Sequence, residues 1–303
     1  MSIVKRLKQN VIQHYQLYLM VLPAFFIILI FNYIPMYGIQ LAVRKYVPKL
    51  GLTGGDFVGL QYFRKFFNSF QFWSLIKNTL AISLSTIIIS FPVPILLAIM
   101  FSKITRPRVK KLMQTVVYLP HFISTVVLVS ILTLMLSSTN GVIGRTAASL
   151  GYVGNLMGDK RLFVPLYVLT EIWQHAGWNS IIYIAALSSI DAAIYEAASI
   201  DGANTWQEIY YIDLPSLIPT MMVMLVLNMG SVLGVGFEKV YLMQNSLNLS
   251  VSEIISTYVY KIGIQSNQYS YSAAINLFNN VINFALVIGM NYVSIKTTKV
   301  SLW

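Results

Sequence analysis

Residues 191–237 have the sequence DAAIYEAASIDGANTWQEIYYIDLPSLIPTMMVMLVLNMGSVLGVGF. The first half contains five acidic residues, whereas residues 214–237 contain no charged side chain. A helix needs about 20 residues, at a rise of about 1.5 Å each, to cross roughly 30 Å of hydrocarbon. The stretch therefore predicts a transmembrane helix that follows directly on an acidic segment.

The same charge-free pattern recurs along the chain. Gaps of 19 residues or more between charged side chains lie at 9–43, 78–102, 112–144, 172–190, 214–237 and 262–295. They predict an all-α, polytopic membrane protein with six transmembrane helices at 16–39, 78–102, 112–136, 164–189, 214–236 and 273–295. Pro92 and Pro94 are expected to kink the second helix, because proline lacks a backbone N–H.

Composition excludes most other classes of protein. Only 10% of the 303 residues are charged and 56% are hydrophobic, whereas a soluble domain carries roughly a quarter charged residues. A net charge of +11 would suggest nucleic acid on a soluble protein. Here it is interpreted as basic loops beside a membrane, and no nucleic-acid partner is expected. The absence of cysteine excludes disulfides and thiolate metal sites.

Basic residues indicate the orientation. Five of the nine residues 103–111 are Lys or Arg, and dense basic loops stay in the cytoplasm. We therefore predict a multi-pass protein of the cell membrane with both termini cytoplasmic, in contact with membrane lipid. The acidic loop disagrees with this trend, because it contains no basic residue.

The acidic loop has the pattern of two short helices. Asp191 is a candidate N-cap for a helix over 192–200, and Gly202 is a candidate stop. Thr205 and Glu208 have capping-box spacing. We predict a helix–turn–helix at the membrane surface with a charge of −5. Two interpretations remain open for it: a solvated loop, or a docking surface for a basic partner.

The loop resembles the EAA motif of type I ABC importer permeases. The motif residues are Glu196, Ala197, Ala198, Asp201, Gly202, Ile212, Leu214 and Pro215. Tyr33–Gly38, Tyr118–Ser124, Gly236-Phe237-Glu238 and Ser301-Leu302-Trp303 are similar to the branch that imports complex oligosaccharides. One departure is Ala193, where that branch often has proline.

The resemblance implies a type I ABC importer permease fold and a set of partners. Residues 1–75 would form an N-terminal helix with an extracellular loop. Residues 76–295 would form the five-helix core with coupling helices at 191–213, and 296–303 a cytoplasmic tail. The coupling loop would dock on a cytoplasmic ATPase, with Glu196 paired to one of its basic residues. The implied partners are a second homologous permease, two ATPase copies, an extracellular solute-binding (lipo)protein and an oligosaccharide.

No phosphate-binding loop GxxxxGK[ST] occurs in the chain, so ATP and Mg²⁺ are expected only in the ATPase subunit. We expect no enzymatic activity, no cofactor and no metal in this chain. The resemblance implies transport by alternating access, driven by closure of the ATPase dimer.

Polar residues within the predicted spans are candidates for the substrate pathway. Glu171, His175 and Trp178 share a helix face, because their spacing is i, i+4, i+7. The full candidate set is Glu171, Trp173, His175, Trp178, Asn179, Asn228, Asn280 and Asn283. Two interpretations remain open: packing and hydrogen bonding between helices, or a polar pathway. An alternative function is an ion-coupled secondary transporter with Glu171 and His175 as proton relay, although no inverted repeat supports it.

Three further expectations concern the rest of the chain. His121 is expected at the membrane interface. Residues 62–76 predict one amphipathic interfacial helix. Residues 237–272 are too polar to span the membrane and are expected outside it, as a candidate contact for an external receptor.

Overall fold

A computed structural model describes residues 13–152, 154–234 and 236–299. Within these ranges the chain is almost entirely helical and has only two isolated β-bridges, which confirms the all-α prediction. The N-terminal basic residues and Ser301-Leu302-Trp303 lie outside the described residues. The chain divides into two compact units. The division at residues 75 and 295 stays a prediction.

The first unit runs to Phe66 and includes Ile262–Leu277. Its helices are α1 (Tyr15–Val43) and α2 (Gln61–Phe67). The apolar window of α1 has no residue buried within the chain, as expected of a helix whose solvent is lipid. Ser270 Oγ donates to Arg44 O at 2.7 Å and accepts from Tyr46 N–H at 2.8 Å. Through these two bonds, the Ser270 hydroxyl holds the segment after α1 against the start of the last helix.

The second unit holds Phe67–Lys261 and the chain from Phe278 onward. Its helices are α3 (Phe72–Ser102), α4 (Pro107–Phe122), α5 (Thr125–Leu136), α6 (Val142–Ser149), α7 (Phe163–Ser188), α8 (Ala192–Ile200), α9 (Thr205–Met229), α10 (Phe237–Met243), α11 (Leu249–Ser252), α12 (Ile255–Tyr260) and α13 (Tyr269–Thr298), of which α13 begins in the first unit.

Helix α7 contributes to both apolar cores of this unit. Its beginning, with Phe163 and Tyr167, packs into a cluster with Ile82, Val129, Val240 and Ile254. Its end, with Tyr183 and Leu187, packs into a second cluster with Ile95, Ala98 and Leu217. The polar residues of α7 lie between these clusters. Burial of the two ends therefore holds a polar middle section inside an apolar bundle.

Among the described residues, four helices are long and apolar enough to cross a membrane, namely α1, α3, α9 and α13. Two bent pairs, α4 with α5 (94°) and α7 with α8 (71°), raise the number to six if each pair is one span. The polytopic prediction is confirmed. The expected kink at Pro92 takes the form of an interruption at Phe91 within the 31-residue helix α3.

The helix predicted over 112–136 is broken into α4 and α5, which together remain one candidate span. The helix turns at Ile123 and Ser124, after a 3₁₀ turn that contains Pro120. Gln174 Nε2 donates to the carbonyl of Ile123 at 2.8 Å, so that this carbonyl is bonded to a neighbouring helix. Ser124 then starts α5 by accepting a hydrogen bond from Val127 N–H, as N-cap residues do.

Other predicted boundaries also change. The span predicted at 214–236 begins at Thr205 and ends at Met229. The prediction of a single interfacial helix over 62–76 is wrong. Helix α2 ends at Phe67, and the residues from Phe72 onward belong to α3. Residues 237–272 include α10, α11 and α12, and Val240, Met243 and Ile254 belong to the core. The expected position of this segment outside the membrane stays a prediction. Whether this segment contacts a receptor stays a prediction.

The crossing of α4 and α7 provides a test of the packing. A Cβ at Gly177 would lie 2.2 Å from the carbonyl oxygen of Val117. Overpacking of a core usually costs about 1–3 kcal/mol, so Gly177→Ala is expected to lower the temperature midpoint of unfolding in detergent. Gly289→Ala is the matched control, because Gly289 lies in α13 with nothing within 4 Å. The control is expected to be neutral or stabilising by up to about 1 kcal/mol. Equal midpoints for the two variants would contradict the close crossing.

Candidate functional site

The loop after α7 has the local structure that its sequence predicts. Asp191 caps α8 by accepting from Ala193 N–H at 3.0 Å. The helix stops before Gly202, whose φ is +74°, a conformation that favours glycine. Ala203 N–H donates to Ala198 O and Gly202 N–H to Ser199 O, at 2.9 and 3.1 Å. These two bonds form a Schellman motif. The predicted roles of Asp191 and Gly202 as helix cap and helix stop are confirmed.

The second half of the loop differs from the prediction. The capping box is formed by Asn204 and Gln207, whose side chains bond to each other's backbone N–H at 2.8 and 3.0 Å. It lies one residue before the predicted Thr205–Glu208 pair, since Asn is a better N-cap than Thr. No separate second helix forms, because α9 continues from Thr205 through a π-helical turn at Ile209–Asp213 to Met229. Leu214 and Pro215 lie directly after that turn.

The predicted surface charge of −5 is also wrong. Asp213 is fully buried and accepts from Tyr195 Oη at 2.6 Å. Lys103 Nζ lies 2.9 Å from both Asp213 Oδ2 and Glu208 Oε2. Burial by itself lowers the pKa of Lys103, but the two carboxylates more than offset this effect and raise the pKa. Asp191, Glu196 and Asp201 remain exposed. We call Lys103, Tyr195, Glu208 and Asp213 the Lys103 cluster.

The exposed side of the loop is partly apolar. Ile200 and Trp206 are 86% and 79% exposed, and they flank the Gly202 turn. Ile194 and Tyr210 are also exposed. Groups of exposed apolar residues typically mark interaction sites. The signal in the sequence was the presence of large apolar side chains within an acidic loop.

A cleft lies between the middle sections of α3 and α7 and the end of α9. Four candidate residues line it together: Glu171, His175, Asn179 and Asn228. Residues of α3 that face the same cleft are Thr86, Ser90 and Phe91. An adjoining cleft of about 400 Å³ shares Glu171, His175 and Asn228 and extends to Gly236 and Lys239. The walls therefore combine amides, hydroxyls, a carboxylate and aromatic rings.

The other candidates lie elsewhere. Trp173 is half exposed and does not line the cleft. Asn280 is exposed, whereas buried Asn283 accepts from Leu233 N–H at 3.0 Å. Asn283 thus has the helix-packing role that was one of the two interpretations. That Glu171, His175, Asn179 and Asn228 contact a substrate stays a prediction.

Lys239 is the site residue that the sequence analysis missed. Its ammonium is 2.9 Å from Glu171 Oε2 and lies over the ring of Tyr167, 4.9 Å from the centroid. Glu171 Oε1 is also 3.7 Å from His175 Nε2. Lys239 is buried, so Glu171 and Lys239 balance each other's charge. The signal was a lysine within the otherwise largely apolar helix Phe237–Met243.

His121 contacts His175 and Trp178 of α7, which the sequence analysis did not predict; its position at the membrane interface stays a prediction. Its Nδ1 is 3.1 Å from His175 Nδ1, and its ring stacks on Trp178 at 4.5 Å with an interplanar angle of 4°. The turn between α4 and α5 brings it there, since Pro120 and His121 lie in the 3₁₀ segment Leu119–Phe122. Trp178 therefore contacts a histidine and does not line the cleft.

Membrane-length helices around a polar cleft, with an exposed loop at one end, define a helical transport protein of the membrane. The chain belongs to the family of binding-protein-dependent transport system inner membrane components, whose sequence pattern matches residues 90–299. The resemblance to ABC importer permeases is thereby confirmed.

Relatives and solved structures agree with this assignment over nearly the whole chain. The chain is 41% identical to the polygalacturonan/rhamnogalacturonan transport system permease protein YteP of Bacillus subtilis, over 95% of this chain and 90% of YteP. It is 40% identical to protein LplB of the same organism, over 92% and 88% of the two chains. A crystal structure of a bacterial alginate ABC transporter, in complex with an alginate pentasaccharide-bound periplasmic protein, matches with a TM-score of 0.88. The identity is 37%, over 98% of this chain and all of that one.

The Glu171–Lys239 pair provides a second prediction. Lys239→Met leaves the Glu171 carboxylate without its partner, and removal of one member of a buried pair costs up to about 3–5 kcal/mol. We expect the midpoint of thermal unfolding in detergent to fall. Glu171→Gln combined with Lys239→Met is expected to recover part of the loss, because no unpaired charge remains. A double variant that is no more stable than Lys239→Met would contradict the pairing.

Proposed function

We propose that this chain is a permease subunit that imports an oligosaccharide delivered by an extracellular binding protein, with energy from a separate ATPase. The observation that carries the proposal is the match to YteP over 95% of the chain. The alginate transporter with its sugar-loaded periplasmic protein supports the same substrate class. The names of both proteins refer to polysaccharides. We therefore prefer an oligosaccharide to a simple sugar as the substrate.

The chemistry of the cleft is suited to a sugar. Asn179 and Asn228 offer amide donors and acceptors, and Thr86 and Ser90 offer hydroxyls. Phe91 adds an aromatic ring of the kind that commonly lines ligand sites. Since Glu171 is already paired with Lys239, the neutral groups are the ones available to bind hydroxyls. We infer that the substrate passes along this cleft and that the second permease forms its other wall.

The exposed loop is proposed as the docking site for the ATPase. Exposed Ile200 and Trp206 supply apolar contact area, and aromatic side chains are enriched in energetically important interface positions. Glu196 is exposed on α8, where it is available to pair with a basic residue of the ATPase. The loop, and with it both termini, would then face the cytoplasm. ATP and Mg²⁺ belong to the ATPase in this proposal.

The ion-coupled alternative receives no support from the cleft. A relay through Glu171 and His175 requires a carboxylate that is free to take up a proton. Lys239 Nζ lies 2.9 Å from Glu171 Oε2, so an ion pair already occupies this carboxylate.

Charge reversal at Glu196 tests the coupling role. Glu196→Arg would place two cations together at the ATPase interface, where like charges cost several kcal/mol. We expect sugar uptake to fall by at least about tenfold while membrane insertion is retained. Asp56→Arg is the matched control, because it makes the same charge change at an exposed acid of the other unit. Normal uptake by Glu196→Arg would refute the coupling role.

The energy source can be tested without any substitution in this chain. Uptake into cells is compared after inactivation of the ATPase subunit and after collapse of the proton gradient. We expect the first treatment to abolish uptake and the second to leave it intact while ATP is maintained. The opposite result would favour the ion-coupled alternative.

A further inference from the structure

The Lys103 cluster connects three helices at one end of the bundle. Lys103 is the residue directly after α3, Tyr195 lies in α8, and Asp213 lies in α9. One carboxylate oxygen of Asp213 accepts from Tyr195 Oη at 2.6 Å, and the other is 2.9 Å from Lys103 Nζ. Lys103 also lies over the Tyr195 ring, 5.1 Å from its centroid. A single buried carboxylate therefore contacts both a transmembrane helix and the helix that contains Glu196.

The π-helical turn in α9 explains how two acids reach one lysine. Residues five apart on an α-helix point about 140° apart, at 3.6 residues per turn. A π turn forms its hydrogen bonds between residues i and i+5 and brings such residues to one side. Glu208 and Asp213 are five apart, next to and within the turn Ile209–Asp213, and both lie 2.9 Å from Lys103 Nζ. Turns of this kind occur frequently at functional sites.

Burial makes this connection difficult to break. Asp213 has no exposed surface, whereas Lys103 and Glu208 are about one quarter exposed. Displacement of α8 or of the beginning of α9 away from α3 would leave a buried carboxylate unpaired, which is strongly unfavourable. Movement of the three elements together keeps all of these contacts.

We propose that Lys103, Asp213 and Tyr195 transmit displacement of α8 to α3, so that α8, the beginning of α9 and the end of α3 move as one body. The proposal rests on the coupling role proposed above for this loop. All three are positioning residues, because they act through the helices that they hold together.

The first test measures how much sugar is transported per ATP hydrolysed in proteoliposomes that contain the complete transporter. We expect Lys103→Met to assemble with its partner subunits but to lower this ratio by about tenfold, within the range typical of coupling between sites. Lys103→Arg retains a cation that can bind two carboxylates and is expected to retain the ratio. Lys261→Met is the matched control, since Lys261 is also 2.9 Å from one acid, Glu253, and similarly exposed.

A lower ratio for Lys103→Met alone supports the proposal, and an unchanged ratio overturns it. If Lys103→Met does not assemble, Tyr195→Phe repeats the measurement, because it removes one hydroxyl and no charge. Glu196→Arg distinguishes a failure of the present proposal from a failure of the proposed function of the loop. A normal ratio for Lys103→Met beside an uncoupled Glu196→Arg overturns only the present proposal. Normal coupling in Glu196→Arg overturns the proposed function of the loop.

The second test measures the distance between α3 and α8 directly. The chain contains no cysteine, so Met100→Cys and Ser199→Cys place spin labels at two exposed positions without background labelling. With the cluster intact, we expect the same distance distribution before and after ATP is trapped. With Asp213→Asn added, the distance is expected to change on trapping. A change of equal size in the intact protein would show that α8 moves independently of α3 and would overturn the proposal.

Discussion

A charge inside an apolar bundle must be paired, and this constraint determines how the helices of the larger unit meet. Glu171 lies in the polar middle of α7, between the apolar clusters formed by the two ends of that helix. Its partner Lys239 comes from the short helix α10, which thereby packs against α7 with Val240 and Met243 in the core. Without Lys239, the carboxylate would lose this ion pair, and an unpaired charge in apolar surroundings is costly. The pair therefore holds α10 beside the cleft.

The same constraint applies at the other end of the bundle. Asp213 is buried beside Lys103, and the second oxygen of its carboxylate is bonded to Tyr195. The acids of the loop consequently fall into two groups. Glu208 and Asp213 face inward to Lys103, while Asp191, Glu196 and Asp201 face outward. One sequence motif thus contains both the contact that holds the loop to the bundle and the exposed surface proposed above as the docking site.

Local features could be predicted from the sequence, and long-range ones could not. The Asp191 cap and the Gly202 stop depend on residues a few positions apart, so their patterns were sufficient. Lys239 is 68 residues from Glu171, and spacing along a helix gives no information on such a partner. The turn at Ile123 depends on Gln174, a residue of another helix. Burial of Asp213 depends on a π turn that no pattern indicated.

Helix α9 is one continuous stretch of backbone that runs from the Lys103 cluster to the cleft. Asp213 lies nearer its beginning and Asn228 near its end, 15 residues on, or about 22 Å at 1.5 Å per residue. Asn228 lines both clefts. From Leu214 to Met229 the helix has no interruption, even at Pro219, so its only irregular segment is the π turn beside Lys103. A rotation at the loop must therefore either be absorbed at that turn or reach the cleft. Because Lys103 contacts both sides of the turn through Glu208 and Asp213, the movement of the loop proposed above would displace the cleft wall and not be absorbed at the turn.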